Sequence, residues 1–234
     1  MQATVLVPTY NERTNIEPMM RALAGVLREG DRVLVIDDDS PDGTGEIAER
    51  LADELPFVGV LHRERKDGLG PAYIAGFRHA LRDGAELILE MDCDFSHDPA
   101  DVPRLIAAAE EGADVVLGSR YVRGGRVGNW GVLRRAISRG ASVYTGLFLR
   151  MGVADPTGGF KCFRRHVLET LDLDAITSKG YAFQIETTYR AKRAGFRVLE
   201  IPITFVDRTA GSSKMSKAIV LEAVWRVPLL RLAR

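Results

Sequence analysis

The sequence predicts an α/β domain in which helices cover both faces of a mostly parallel central sheet. Short apolar runs alternate with amphipathic stretches through the first half of the chain, a rhythm typical of parallel strands joined by crossover helices. Polar and acidic residues directly follow three of those runs, and open α/β sheets hold their ligands at the carboxyl ends of strands. The chain has 234 residues, of which 46% are hydrophobic, enough for one sizeable core.

The first half contains five predicted strands and four predicted helices in alternation, which is a Rossmann-like order. The strands are short runs rich in Val, Leu and Ile: Val5–Pro8, Val33–Ile36, Val58–Leu61, Leu87–Met91 and Val115–Leu117. The helices are indicated by apolar residues three or four positions apart. Thr44 can cap the second helix and Pro71 opens the third.

The second half is less regular. We expect one domain over residues 1–213 and an amphipathic helix in residues 214–234, the latter interrupted or ended near Pro228. The predicted elements before that helix are a helical stretch, a turn, a second helix and a strand: Leu133–Arg150, Asp155–Gly159, Phe183–Arg193 and Val198–Phe205.

Composition limits the classes of protein that the chain can represent. Its two cysteines, Cys93 and Cys162, are too few and too far apart for a disulfide framework or a zinc site. The first residues lead directly into a strand, without the pattern of a signal peptide. No apolar stretch reaches the ~18–20 residues that span a bilayer. We therefore expect a cytoplasmic protein that does not itself cross a membrane.

The net charge of zero conceals a division along the chain. Residues 1–114 carry 24 acidic and 11 basic residues, whereas residues 115–234 carry 8 acidic and 21 basic ones. The window Val115–Ala154 has no acidic residue and seven arginines. A single-sign field of this size usually concerns binding partners rather than the fold.

The most informative motif follows the fourth predicted strand, where an apolar run ends in Asp92-Cys93-Asp94. Side chains at positions i and i+2 of a strand point to the same side. Asp92 and Asp94 therefore project together, and two adjacent carboxylates repel each other unless a cation lies between them. Oxygen ligands at such a place suit Mg²⁺ or Mn²⁺, which commonly share substrate phosphates. We predict a metal-bridged diphosphate site.

Polar loops also follow the first two strands, with the sequences PTYNE at residues 8–12 and DDDSPDGT at residues 37–44. Each alone could be an ordinary polar loop that caps a helix. Together with Asp92 and Asp94, however, they bring carboxylates from three parallel strands to one edge of the sheet. Such a cluster is costly without a ligand, so we interpret it as a binding site.

These motifs resemble those of the family-2 glycosyltransferases with a GT-A fold. The series PTYNE, DDDSPDGT, MDCDFSHDP, GSRYVRGG, GGFK and RTAGSSK runs in order from Val5 to Lys214. Within the family, the series is most similar to the dolichol-phosphate (polyprenol-phosphate) mannose synthases. The resemblance implies transfer of mannose from GDP-mannose to a dolichyl or polyprenyl phosphate, with inversion at the anomeric carbon and a divalent metal, giving polyprenyl β-D-mannosyl phosphate.

The resemblance also implies roles for residues of the nucleotide pocket. Pro8, Tyr10 and Glu12 would line this pocket. Ile36 and Asp38 would contact the region of the base and ribose.

At the sugar and diphosphate, the resemblance implies contacts from Asp92 and from the main chain at Cys93. Asp94 would bind Mg²⁺ or Mn²⁺, helped by Ser96. The family usually has Ala where this chain has Cys93, which matters little if only the main chain is used. Ser96 is a weak metal ligand, so its contact could pass through water.

Three cations would complete the site according to the resemblance. Arg120, Arg208 and Lys214 would hold the diphosphate of the donor or the phosphate of the acceptor. Asp94, Arg208 and Lys214 would be the catalytic residues. A phosphate monoester is largely a dianion at neutral pH, so we expect no obligatory general base. A glycoside hydrolase, in contrast, requires a carboxylic acid with a raised pKa.

Several residues allow two interpretations. His97 could bind a metal, although a lone His after a strand is more often structural. Glu186 could face the acceptor phosphate or pair with an arginine. Trp130 could belong to the core or to a membrane interface.

Alternative functions also remain at this point. UDP-glucose could replace GDP-mannose as the donor. A phosphatase of the haloacid-dehalogenase type also carries a DxD motif after an apolar strand, but usually on its first strand. A non-catalytic nucleotide-sugar-binding subunit is a third possibility, and the intact set of Asp92, Asp94, Arg208 and Lys214 argues against it.

A polyprenyl phosphate cannot leave the bilayer cheaply, so we expect the protein to act peripherally on the cytoplasmic face of a membrane. The arginines of Val115–Ala154 and the apolar residues of the last helix suit an interface with anionic lipid. A separate membrane-spanning protein is a second expected partner. We expect no nucleic-acid partner.

Overall fold

The computed structural model describes residues 1–128, 130–207 and 227–231. The strands are β1 (Ala3–Thr9), β2 (Arg32–Asp37), β3 (Val58–His62), β4 (Leu87–Glu90), β5 (Val115–Ser119), β6 (Arg126–Val127), β7 (Lys161–Arg164), β8 (Val198–Pro202) and β9 (Thr204–Phe205). The helices are α1 (Ile16–Ala24), α2 (Thr44–Glu54), α3 (Leu69–Arg82), α4 (Val102–Glu110), α5 (Val132–Leu149), α6 (Arg165–Thr170) and α7 (Gly180–Arg193).

Seven strands form the central sheet in the order β3-β2-β1-β4-β7-β5-β8. All neighbouring pairs are parallel except those of β7, which runs antiparallel to β4 and to β5. The short strands β6 and β9 form a separate parallel pair. The predicted mostly parallel α/β sheet is confirmed, and its central strands β2, β1 and β4 end at one edge.

The alternation of side chains along the strands divides the core into two layers. Val5 and Val7 of β1 pack in one layer with apolar residues of α1, α2 and α4. Leu6 points the other way, into a layer with residues of α3, α6 and α7. Both faces of the sheet are therefore buried beneath helices, which explains why its strands are continuous apolar runs in the sequence.

The second half differs from the prediction in two places. The sequence predicts a turn at Asp155–Gly159 and no element for the residues that follow it, yet Lys161–Arg164 forms β7 in the middle of the sheet. The predicted strand Val198–Phe205 is divided into β8 and β9. It divides after Pro202, which has no N–H for a ladder hydrogen bond, and the chain then leaves the main sheet to pair with β6.

The predicted helix from Lys214 to Leu232 lies mostly outside the described residues. Within it, residues 227–231 are helical, so Pro228 falls inside a helical segment. Val227 is buried, and Arg231 donates a hydrogen bond of 2.9 Å to the carbonyl of Phe148 on α5. In the part of the chain that the structure describes, no helix is long and apolar enough to cross a membrane.

A close approach of α3 to the sheet occurs at Gly76. A Cβ atom built there would lie 2.5 Å from Cδ1 of Ile36 and 3.0 Å from Cδ1 of Leu6. Both leucine and isoleucine side chains are fully buried, so neither can move aside easily. The absence of a side chain at position 76 therefore sets how closely α3 packs on β1 and β2.

We expect Gly76→Ala to lower the free energy of unfolding by about 1–3 kcal/mol, since the added methyl overpacks the core. Gly140→Ala on α5 is the matched control, because a Cβ there meets nothing within 4 Å. The control should gain up to about 1 kcal/mol from helix propensity. Urea denaturation of both variants measures the difference, and equal stability of Gly76→Ala and the wild type would contradict the tight packing.

Candidate active site

A cavity of about 480 Å³ lies at the carboxyl ends of the central strands. Because β2, β1 and β4 are parallel neighbours, the loops that follow them meet there. Nine of the residues singled out from the sequence line this cavity: Pro8, Tyr10, Glu12, Asp38, Asp92, Cys93, Asp94, Ser96 and Arg120. The structure thus brings together acidic side chains that are as far as 82 positions apart in the chain, as Glu12 and Asp94 are.

The side chain of Ile36 does not belong to the cavity. It is fully buried in the core layer beneath α3, where it packs against the position of Gly76. Asp38, two residues later, does line the cavity. The side chain of Ile36 therefore cannot supply a contact in the cavity, and the expectation that Ile36 contacts the region of the base and ribose stays a prediction. Arg208 and Lys214 lie outside the described residues.

Where the loops after β1 and β2 line the cavity, Asp38 forms an ion pair with Arg63, with 2.5 Å between Oδ1 and Nη1. Burial raises the pKa of Asp38, and the charge and hydrogen bond of Arg63 offset part of that effect. Lys66 lies over the ring of Tyr10, 3.8 Å from its centroid. The carboxylate of Asp38, the aromatic ring of Tyr10 and the ammonium group of Lys66 together can recognise a nucleoside.

The loop after β4 shapes the candidate metal site. The backbone N–H of Ser96 donates a hydrogen bond of 3.0 Å to Oδ1 of Asp94, and Phe95 between them adopts a left-handed conformation with φ of 58°. The hydroxyl of Ser96 is buried and has no hydrogen-bond partner among the described residues. As a result of this turn, Asp94 and Ser96 both line the cavity.

The residues present fit a hard divalent cation that shares its ligands with a diphosphate. Asp92, Asp94 and Ser96 offer only oxygen atoms, and Mg²⁺ typically binds one or two carboxylates and substrate phosphates. Among the residues that the structure describes, no group of three or more His, Cys, Asp or Glu side chains could enclose a metal alone. A bound metal here would therefore depend on the donor for part of its coordination.

Arg120 is held by a buried ion pair, which the sequence did not indicate. Its backbone N–H, Nε and Nη2 donate to the carboxylate of Asp155 at 2.9, 2.7 and 2.6 Å. Nη2 also donates to the hydroxyl of Thr157 at 2.8 Å. One edge of the guanidinium is therefore committed within the protein. Arg120 still lines the cavity, but its first role is to position the turn that contains Asp155.

A second arginine of the cavity wall, Arg134, was not singled out as a site residue. It lies 4.3 Å from the ring centroid of Trp130, and its Nη1 donates a hydrogen bond of 2.6 Å to Asp207. Its Nε is buried without a hydrogen-bond partner in the described part of the protein. The window without acidic residues, Val115–Ala154, could have indicated this part of the cavity wall, because it contains both Arg120 and Arg134. Trp130 belongs to this wall rather than to the core.

Two buried polar residues also line the cavity: His97, which the sequence left open as either a metal ligand or a structural residue, and Gln184, which it did not assign to the site. His97 stacks on Phe160 with 5.0 Å between ring centroids, and burial lowers the pKa of His97 to about 4. Gln184 is 1% exposed and lines the cavity from α7. Glu186, for which two interpretations remained, pairs with Arg190 at 2.7 Å and is not part of the cavity wall.

Beneath the cavity, Glu90 and Lys161 lie opposite each other on the antiparallel strands β4 and β7. Both are fully buried. Burial raises the pKa of Glu90 and lowers that of Lys161, and the opposite charge of each partner counteracts the shift. Nζ of Lys161 donates hydrogen bonds of 2.7 Å to the carbonyl of Gln184 and 3.1 Å to the hydroxyl of Thr187. Through these hydrogen bonds, Lys161 joins β7 of the sheet to α7.

Comparison with known structures shows that this architecture occurs in GT-A glycosyltransferases. The glucosyl-3-phosphoglycerate synthase from Mycobacterium tuberculosis, in complex with Mn²⁺, UDP and glucosyl-3-phosphoglycerate, matches with a TM-score of 0.71 and 21% identity, covering 98% of this chain and 79% of that one. Its complex with Mg²⁺ and UDP matches with a TM-score of 0.72 and 20% identity, covering 98% and 79%. At this identity the likeness establishes the fold.

Curated proteins match over nearly the whole chain. An undecaprenyl-phosphate mannosyltransferase of Micrococcus luteus is 48% identical, over 97% of this chain and 93% of the relative. A polyprenol monophosphomannose synthase of Mycolicibacterium smegmatis is 47% identical, over 95% and 84%. A dolichol-phosphate mannosyltransferase of Pyrococcus furiosus is 38% identical, over 95% of this chain and 61% of the relative.

The family model for glycosyl transferase family 2 matches residues 4–172. That span contains β1 to β7 and the loops after β1, β2 and β4 that form the acidic side of the cavity. The chain is accordingly a glycosyltransferase and belongs to glycosyl transferase family 2.

Proposed function

We propose that the protein transfers mannose from GDP-mannose to a polyprenyl phosphate, with inversion, giving polyprenyl β-D-mannosyl phosphate. The observation that carries this proposal is a single cavity with acidic strand ends on one side and Arg120 and Arg134 on the other. A nucleotide sugar with a divalent metal suits the acidic side, and an acceptor phosphate suits the arginines. The names of the relatives at 47–48% identity support the same acceptor and sugar.

Family membership removes the phosphatase alternative. A phosphatase of the haloacid-dehalogenase type would use Asp92 as a nucleophile, whereas the strands before β4 here supply the loops that line a nucleotide-sized cavity. UDP-glucose remains the competing donor to be tested directly.

In this proposal, Pro8, Tyr10, Glu12 and Asp38 hold the nucleoside. Asp92 and the main chain at Cys93 contact the sugar diphosphate. Asp94 and Ser96 would hold Mg²⁺ or Mn²⁺, and the bound ion would supply positive charge to the leaving nucleoside diphosphate. The fit rests on the hydroxyl of Ser96, which is buried at the cavity without a hydrogen-bond partner among the described residues.

The acceptor requires positioning rather than deprotonation, since its phosphate is already an anion at neutral pH. Arg134 contributes a guanidinium in the cavity wall, held over Trp130 and by Asp207. Arg120 supports this wall through its pair with Asp155. Arg208 and Lys214 stay assigned to the diphosphate or the acceptor phosphate on the basis of the sequence motif alone.

The orientation of α5 supports peripheral binding to a membrane. Its exposed face carries large apolar side chains, whereas its buried face combines Leu149 with Ser142 and Thr145, the latter two each 2% exposed. Large apolar residues on the exposed face depart from the pattern of an ordinary surface helix. The exposed apolar residues of α5 are Val132, Ile137, Val143, Tyr144 and Leu147, of which Val132 and Leu147 are 84% and 74% exposed.

Exposed arginines lie on the same helix and next to it. Arg135 and Arg139 are on α5, and Arg123, Arg126 and Arg150 precede or follow it. Exposed apolar side chains beside cations suit the surface of an anionic bilayer, where each cation contributes about 1 kcal/mol. The lipid acceptor would then enter the cavity from the side on which it is anchored. We propose the cytoplasmic face of the membrane as this surface; a membrane-spanning protein partner is the competing occupant.

The proposed reaction is tested by incubating the protein with Mn²⁺, polyprenyl phosphate and either GDP-mannose or UDP-glucose, each labelled in the sugar. We expect label to enter the lipid phase only from GDP-mannose, and the anomeric configuration of the product to be β. Transfer from UDP-glucose alone would overturn the donor assignment. Release of free sugar without lipid labelling would overturn the acceptor assignment.

We expect Asp94→Asn to lower the rate of transfer about 100-fold or more, because it removes a negative charge that should hold the metal and the leaving group in place. The substitution keeps the shape of the side chain, so thermal unfolding should change little. Asp98→Asn is the matched control, since Asp98 lies on the same loop and is exposed outside the cavity. If Asp94→Asn retains full Mn²⁺-dependent turnover, Asp94 does not belong to the site.

Membrane binding is tested by flotation with vesicles that contain anionic lipid. We expect the wild type to float, less so at high salt, and the double variant Val132→Asp/Leu147→Asp to stay in solution because it places charge in the apolar interface. Ala24→Asp/Ala107→Asp is the control, with the same change in charge at exposed positions of α1 and α4, beneath the other face of the sheet. Undiminished flotation of the α5 variant would show that another surface binds; no flotation of the wild type would favour a protein partner.

A further inference from the structure

Two buried polar side chains line the cavity and have no role in the mechanism described so far. Gln184 is 1% exposed and His97 is 3% exposed. Among the described residues, Oε1 of Gln184 and Nδ1 of His97 have no hydrogen-bond partner, and the amide N–H groups of Gln184 approach only the buried carboxylate of Glu90 without forming a well-aligned hydrogen bond. A buried polar group without a partner costs about 1–3 kcal/mol, and natural proteins contain few of them. Two such groups on one cavity indicate a ligand that supplies the missing hydrogen bonds.

The two side chains approach the same point. Gly159 lies in the cavity wall between them. A Cβ atom at position 159 would be 3.6 Å from Nε2 of Gln184 and 3.9 Å from Cε1 of His97. The free space above Gly159 is therefore bordered by an amide and an imidazole, and a small polar group placed there could contact both.

The ring of His97 and the backbone of Gln184 are held in place by their surroundings. The ring of His97 lies between Phe160, at 5.0 Å, and Phe205, at 5.4 Å between ring centroids. The backbone of Gln184 is fixed because its carbonyl accepts a hydrogen bond of 2.7 Å from Nζ of Lys161. Fixed polar groups of this kind give a binding site its specificity, since little entropy is lost on binding.

Both side chains line the same cavity as Asp92 and Asp94. His97 follows Asp94 by three residues, and the amide of Gln184 lies near the buried carboxylate of Glu90, two residues before Asp92. A sugar joined to a diphosphate at Asp92 and Asp94 would therefore lie in the same cavity as Gln184 and His97.

The chemistry of the pair favours hydroxyl groups over phosphate. An amide offers one acceptor and two donor hydrogens, and an imidazole nitrogen offers one donor or one acceptor. Neither side chain brings a net positive charge, unlike Arg120 and Arg134 on the opposite wall. A hydroxyl group can both donate and accept hydrogen bonds, so a sugar ring with several hydroxyl groups can supply partners to both residues.

We propose that Gln184 and His97 form the subsite that recognises the hydroxyl groups of the transferred sugar, above Gly159. The inference rests on the proposed function for the class of donor, and it assigns to these residues the selection of one hexose over another. A site that hydrogen-bonds a hydroxyl rejects a sugar that lacks it, because its own polar groups then stay unpaired.

The test compares the binding of a nucleotide sugar with the binding of the same nucleotide without sugar. Dissociation constants for GDP and GDP-mannose are measured by calorimetry with Mn²⁺ for the wild type, Gln184→Leu and Gly159→Ala. We expect both variants to bind GDP within about twofold of the wild type and GDP-mannose about tenfold or more weakly. Gly159→Ala should fold normally, because the added methyl meets its neighbours only at ordinary contact distances of 3.6 Å and longer.

Ser178→Ala is the matched control. The hydroxyl of Ser178 is likewise buried without a hydrogen-bond partner among the described residues, but the residue does not line the cavity. This variant should bind GDP and GDP-mannose as the wild type does. A loss of GDP-mannose affinity in Ser178→Ala equal to that in Gln184→Leu would show a general structural effect and overturn the subsite.

A second measurement tests recognition of individual hydroxyls. GDP-mannose analogues that each lack one sugar hydroxyl should bind the wild type less tightly, and Gln184→Leu should no longer distinguish at least one of them from GDP-mannose. Equal losses of GDP and GDP-mannose binding in the variants, or no loss of either, would overturn the inference. The same pairs are measured with UDP and UDP-glucose. If the wild type prefers UDP-glucose, the proposed donor is wrong, while the ratio between variants and wild type still decides the role of Gln184.

Discussion

The buried ion pair between Arg120 and Asp155 is the interaction on which the geometry of the cavity depends. It ties the loop after β5 to the turn that begins at Asp155, and Glu200 on β8 accepts hydrogen bonds from the N–H groups of Ala154 and Asp155 at 2.7 and 2.9 Å. Two charges removed from water this completely stabilise a fold only when many hydrogen bonds accompany them. The turn then leads through Gly158 and Gly159 to β7, so the wall of the cavity is fixed from both sides.

The charge division along the chain becomes a division within the cavity. The acidic first half supplies the carboxylates at the ends of β1, β2 and β4, and the arginine-rich window supplies the opposite wall. Carboxylates gathered at one edge repel one another, which is a cost to the empty protein. Sites of this kind trade stability for function, since a cation and a diphosphate bound there, as proposed, would relieve the repulsion.

The parts of the site that could be predicted from the sequence are those with a local signal. The loops at Tyr10, Asp38 and Asp94 each follow a short apolar run, and such runs predict buried strands. Parallel strands end at the same edge of a sheet, so the meeting of these three loops could be predicted. Ile36 and Asp38 are two positions apart, so the period of a strand would place them on the same side. Because β2 ends at Asp37, Asp38 leaves that pattern and lines the cavity, whereas the side chain of Ile36 packs beneath α3. Arg120 was expected at a phosphate, and its pairing with Asp155, 35 residues away, has no local signature. The same holds for β7, whose pairing with β4 places Lys161 beside Glu90.

The exposed apolar face of α5 would have a kinetic consequence if it binds a bilayer as proposed. An enzyme that rests on a bilayer by this face meets its lipid substrate by diffusion in two dimensions, and its turnover then follows the mole fraction of acceptor in the membrane rather than the amount per volume of solution. Dilution with inert lipid would slow such an enzyme even though every concentration in the test tube stayed the same. The second substrate, a water-borne nucleotide sugar, would obey ordinary saturation in three dimensions. The affinity for the acceptor would then be expressed as a surface density and the affinity for the donor as a concentration in solution.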